Sequence, residues 1–120
     1  MGEHMDSIEL KDRTKRFALN VLKLVDALPQ TTAGRALGNQ LVRSGTAVAA
    51  NYRAACRGRS KAEFTAKLGT VLEESDESCF WMELIIEGTL LSREKVMPLL
   101  DEANQLTAIF VSSIKTAKEH

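Results

Sequence analysis

Apolar residues return every third or fourth position along most of this chain, and no stretch alternates with the period of two that a strand requires. The pattern breaks into four segments. In the first, predicted over about 6–28, Phe17, Val21, Leu24, Val25 and Leu28 share one helical face. Pro29 ends it by forcing the preceding residue out of the helical region, and Thr31 and Thr32 are candidate N-caps for the next helix. The second segment, about 33–57, carries an inward stripe of Leu37, Leu41, Ser44, Val48, Tyr52 and Ala55, rich in small residues that allow a neighbouring helix to come close. Gly58 is the expected left-handed exit from it, and Ser60 with Glu63 forms the sequence signature of a capping box.

The third segment, 61–87, presents Phe64, Leu68, Val71, Leu72, Ser75, Cys79, Met82 and Ile86 and stops at Gly88. Ser92 caps the fourth, whose stripe is Val96, Leu99, Leu100, Ala103, Leu106, Phe110 and Ile114. Pro98 either sits in the first turn of a late-starting helix or kinks an early-starting one. Helices of about 20–25 residues joined by short connections predict an all-α fold, an antiparallel up-down-up-down four-helix bundle. Residues 6–118 are expected to form it as a single domain, and 1–5 (Met-Gly-Glu-His-Met) to be a tag remnant or a disordered tail.

Composition narrows the chemistry more than the fold. The chain has 120 residues and a formal net charge of zero, which argues against a uniformly basic nucleic-acid binder but leaves room for a local patch. No apolar run approaches the roughly twenty residues of a membrane span, and the first residues hold no signal-peptide core, so a cytoplasmic protein is expected. Cys56 and Cys79 lie on or beside the apolar stripes, where a free thiol packs as a small hydrophobe. His4 and His120 stand at the extreme ends, and no spacing suits a metal site.

The neutral total conceals a division. Between Arg35 and Lys67 seven basic residues face a single acid, Glu63, whereas between Glu73 and Glu87 there are six acids and no base. Arg35, Arg43, Arg53 and Arg57 fall within an arc of about 80° opposite the apolar stripe of the second helix, and Arg59, Lys61 and Lys67 extend that patch round the corner. These seven are the candidate nucleic-acid-binding residues. On the third helix Glu73, Asp76, Glu77, Glu83 and Glu87 cover the face away from the core, with Phe80 and Leu84 in its middle and Trp81 at its edge. An apolar pair ringed by carboxylates has the form of an interface centre with a charged rim. The competing reading is a wide core stripe on a rotated helix. Phe80, Leu84, Trp81, Glu73, Glu77 and Glu87 are thus candidate subunit-contact residues. Opposite charge on two faces predicts a head-to-tail contact that closes into a ring or runs on as a filament.

Arg43-Ser44, Asn51, Arg59-Ser60-Lys61, Glu63-Phe64 and Leu68 together resemble the bacterial four-helix bundle protein family. That family includes proteins encoded in intervening sequences of 23S ribosomal RNA genes and the accessory variability determinant of diversity-generating retroelements. The resemblance spans roughly Phe17 to Ile114. It implies a cytoplasmic bacterial protein forming a barrel-shaped homopentamer. In the retroelement branch, it implies strongly basic members that associate with RNA or DNA and a reverse transcriptase. This chain departs from the pattern where many relatives read Asn-Ile-Ala-Glu-Gly: it has Asn51-Tyr52-Arg53-Ala54-Ala55, and it is neutral overall.

Two functions follow as expectations. One is a non-catalytic oligomeric module that engages nucleic acid, or an enzyme acting on it, through the second helix. The other is a purely structural or partner-docking assembly in which the basic and acidic faces are used up between subunits. Catalysis is not expected, and neither is a cofactor or small-molecule substrate. A di-iron bundle needs Glu-x-x-His pairs from two helices, and no histidine lies within a helix here. Glu73, Glu74 and Glu77 face outward, and no phosphate loop or Ser/His/Asp set is present.

Overall fold

In the computed structural model, which describes residues 6–119, the chain is all-α, with four helices and no strand among the described residues. They are α1 (Ser7–Asp26), α2 (Thr32–Ala55), α3 (Lys61–Glu87) and α4 (Arg93–Glu119). The expectation for residues 1–5 lies outside the described residues. The helices pack as a bundle with principal extents of 47 × 26 × 19 Å. Contacts are dense between α1 and α2, α2 and α3, and α3 and α4, and sparse between α1 and α4. That sparse side leaves an open groove.

Each helix begins on a cap that satisfies otherwise orphaned amide groups. Asp6 accepts from Glu9 N at 2.8 Å and Thr31 from Gly34 N at 3.0 Å. Ser60 accepts from Glu63 N at 3.1 Å, and Ser92 from Lys95 N at 3.3 Å. The capping box at Ser60 closes one residue early, since Glu63 Oε1 accepts from Arg59 N at 3.0 Å. Pro98 belongs to an early-starting α4: it lies inside the helix, in the second turn after Arg93.

Gly58 is not the left-handed exit its sequence position suggested. No described glycine has positive φ, and beyond α2 the N–H groups of Cys56, Arg57 and Gly58 donate to the carbonyl oxygens of Tyr52, Ala54 and Ala55. Space there is tight but not closed: a Cβ would stand 3.1 Å from the Ala55 carbonyl oxygen and 3.2 Å from Phe64 N. The left-handed residue is Thr89, at φ 57°. It follows Gly88 and completes a Schellman motif, with Leu90 N bonded to Ile85 O and Thr89 N to Ile86 O.

The core is the union of the four stripes, filled by Phe17, Val21, Leu41, Leu68, Met82, Leu106 and Phe110 among others. On α1–α2 the small residues do what the sequence implied. Gly45 packs so closely that an added Cβ would lie 2.8 Å from Val21 Cγ2, and one on Gly38 would lie 3.1 Å from Val25 Cγ1. On α3 the buried stripe turns further than expected: Ser78 and Ile85 are buried, while Phe64, Leu72 and Ile86 are half-buried. Hydroxyls line the seams of α3. Ser78 Oγ is 2.9 Å from Ser44 Oγ, and Ser75 Oγ is 2.7 Å from Thr107 Oγ1. Buried hydroxyls bonded in pairs avoid the desolvation cost that unpaired ones would carry, and they fix the helices in register.

Candidate functional site

All seven candidate cations are exposed, but they are not equivalent. Arg43, halfway along α2, reaches across to the same chain's α3. Its Nη1 is 3.2 Å from Glu74 Oε1, and its Nη2 pairs with Glu77. Arg35 curls back to donate to the Gln30 carbonyl oxygen at 2.8 Å. By contrast, the side chains of Arg53, Arg57, Arg59, Lys61 and Lys67 form no ion pair among the described residues. They gather where α2 ends and α3 begins. Lys118, near the end of α4, joins them, for it lines one shallow surface groove with Lys61, Ala66, Gly69 and Ile114. The basic face therefore divides into an internally neutralised middle and an open end. The sequence reading did not single out Lys118, although a lysine in the last turn of an outward helix was the available signal.

The acidic face divides too. Phe80 is 49% exposed, with its ring 5.1 Å from that of Trp81 in an edge-to-face arrangement. Leu84 and Trp81 are half-buried, so the apolar centre is narrower than three open side chains. The Trp81 indole nitrogen is buried without a hydrogen-bond partner among the described residues. Glu73, Asp76, Glu83 and Glu87 are exposed around Phe80, while Glu77 is half-buried and held by Arg43.

Tyr52 is closed to stacking on a nucleic-acid base. It is buried, its ring is 6.1 Å from that of Phe110, and burial pushes its phenol far above the ordinary value. Burial likewise pushes the Cys79 thiol up, and its sulfur lies 3.4 Å from Asn104 Oδ1. A thiol held protonated is a poor nucleophile. Among the described residues no cluster of three or more His, Cys, Asp or Glu side chains is disposed to hold a metal, and no helix is long and apolar enough to cross a membrane.

A second cationic surface was not legible in the sequence. The open side between α1 and α4 is a groove of about 690 Å³ lined by Arg13, Arg16, Lys23 and Lys95, with Glu102 the one carboxylate. Phe17, Leu24 and Leu99 form its buried base and the exposed Pro98 its lip. Arg13 grips Glu102 in a fork, at 2.7 Å from Nε and 2.8 Å from Nη2, and this bond raises its pKa. Arg16 pairs with Asp12 at 2.9 Å.

Fold and surface together define an all-α four-helix protein with oppositely charged outer faces on α2 and α3. The chain belongs to the 23S rRNA-intervening sequence protein family, whose profile matches residues 6–112. It is also similar to a crystal structure of a Bacteroides thetaiotaomicron protein of unknown function from the S23 ribosomal protein family. That likeness has a TM-score of 0.82 at 30% identity and covers 88% of this chain and 97% of that one. No curated protein matches it.

Proposed function

We propose that this protein is a non-catalytic, oligomeric nucleic-acid-binding module that contacts phosphates through the open end of its basic face. The observation that carries this is the contrast between cations already paired and cations left unpaired. Arg43 is neutralised within the chain, whereas Arg53, Arg57, Arg59, Lys61 and Lys67 are exposed and form no ion pair among the described residues. Such a group positions a protein on a phosphate backbone without reading bases. The absence of an exposed stacking platform at Tyr52 fits shape and charge recognition rather than sequence recognition. The family takes its name from intervening sequences in 23S rRNA, which makes structured RNA the first probe.

The bundle is taken to be antiparallel, up-down-up-down, and a single domain over residues 6–118. Supporting this, Gly38 packs on Val25 and Gly45 on Val21, so residue numbers rise on one helix as they fall on the other. The assembly is taken to be a ring of five cytoplasmic copies, as the family resemblance implies. Support for assembly comes from the exposed Phe80 at the centre of an acidic face.

Titration against a labelled RNA hairpin and a duplex DNA at several salt concentrations tests the reading. With about four phosphates neutralised per subunit, log affinity for the duplex falls with log salt at a slope near about −3.6. The Arg53→Glu/Arg57→Glu variant loses that binding while keeping its helicity and mass. Absence of binding at low salt, or a slope near zero, overturns the reading in favour of a scaffold that only assembles.

A further inference from the structure

Among the described residues, the acidic face of α3 has no cationic partner on its own chain beyond Arg43, which pairs with Glu74 and Glu77. The geometry points to that partner: the α1–α4 groove of a second copy, with Phe80 seated over Pro98 between Lys23 and Lys95. This deepens the oligomeric part of the function proposed above and rests on it.

Three features of the two surfaces agree. The first is charge. The groove carries four cations and one carboxylate, with Arg13 and Arg16 engaged by Glu102 and Asp12. Lys23 and Lys95 form no ion pair among the described residues and stand at the rim. Across the contact, Glu73, Asp76, Glu83 and Glu87 are exposed carboxylates surrounding Phe80. The second feature is apolar surface. Leu19, three residues after Arg16 and four before Lys23, shares their side of α1 and is 50% exposed, nearly the exposure of Phe80. Pro98 at the lip of the groove, and Leu19 outside it on the Arg16–Lys23 side of α1, leave apolar surface that a phosphate-binding site has no use for, and this favours a protein occupant over a nucleic acid. The third is length. From Arg13 to Leu24 the groove runs about 16 Å along α1, and the acidic face from Glu73 to Glu87 about 21 Å along α3. A helix laid in a groove with an apolar anchor and charged rims is a common recognition mode. Because the two surfaces differ, the contact is head-to-tail and repeats from copy to copy, leaving the cations at the α2–α3 corner outside it.

The test is a mixing experiment read by light scattering or sedimentation. Wild type, Phe80→Glu and Lys23→Glu/Lys95→Glu are measured singly, and the two variants are then mixed in equal amounts. The expected result is an oligomeric wild type and two monomeric variants whose mixture forms a one-to-one dimer, since each retains the half that the other has lost. A misfolded variant could not supply that half, so dimer formation also controls for folding. If Lys23→Glu/Lys95→Glu keeps the wild-type mass while Phe80→Glu does not, the groove is not the partner surface. The inference then falls and the oligomeric reading stands. Loss of RNA binding by the lysine variant at unchanged mass would make the groove a phosphate surface and likewise overturn it. A monomeric wild type overturns both.

Discussion

The middle of α2 and its C-terminal end share one helix and one outward face, yet they are built differently. Around Arg43 every feature is bound into the fold. Arg43 itself is held by two carboxylates of α3, Ser44 meets Ser78, and Gly45 lies against Val21. From Arg53 to Lys67 the basic side chains form no ion pair among the described residues, and the chain turns a corner whose hydrogen bonds are local. The same residue type, arginine on an exposed helix face, is structural in one region and available in the other. The difference comes from what the neighbouring helix presents: carboxylates beside the middle, and the start of α3 with its own lysines beside the end.

The largest effect that would break this comparison is in the middle. Gly45→Val introduces a Cβ where the nearest atom is Cγ2 of a fully buried valine, which cannot swing aside. Overpacking of this kind costs about 3 kcal/mol, and the thermal midpoint should fall by roughly 10 °C. An unchanged melting curve would mean that the α1–α2 seam is not the tight one.

A smaller pair of changes sharpens the contrast directly. Arg43→Ala leaves Glu74 and Glu77, three residues apart on one helix, without their shared cation, and should cost about 1 kcal/mol. Arg57→Ala should change stability by less than about 0.5 kcal/mol, because its side chain forms no ion pair among the described residues. In RNA binding the order should reverse, with Arg57→Ala the more damaging. Equal effects of the two substitutions in both urea melts and RNA titrations would erase the distinction between middle and end.

How much of this was legible in the sequence follows the same division. Helical periods, proline and cap residues gave four helices, and α3 was placed to the residue, because Ser60 and Gly88 are unambiguous local signals. The family resemblance, carried by Arg43-Ser44, Asn51 and Arg59-Ser60-Lys61, was legible too, and the family profile agrees. What was not legible depends on pairing between helices. Arg43 looked like Arg57 because a helical wheel does not show which residue of the next helix stands opposite. The α1–α4 groove was invisible for the same reason: Lys23 and Lys95 are 72 positions apart and meet only when the bundle closes. Ser78 and Ile85 were missed as core because α3 contacts two neighbours, which widens its buried stripe beyond a single face.

The smallest prediction concerns the corner that ends α2. Glycine after a helix is usually explained by a left-handed φ, and at such a site alanine costs about 1 kcal/mol. Gly58 does not have positive φ, and its neighbours are only marginally close, the nearest being the Ala55 carbonyl oxygen at 3.1 Å. Gly58→Ala should therefore move stability by no more than about 0.5 kcal/mol, because relief of unfolded-chain entropy offsets the tight contacts. Thr89 is the opposite case: a β-branched residue occupies the left-handed position of the Schellman motif after α3, a conformation that only glycine adopts without strain. Thr89→Gly should stabilise by up to about 1 kcal/mol, reading as a higher midpoint in urea at unchanged slope. Should Gly58→Ala prove costly and Thr89→Gly neutral, the two corners would have exchanged roles. The end of α2 would then be as conformationally constrained as its middle, and a poor place to expect a surface free to meet a partner.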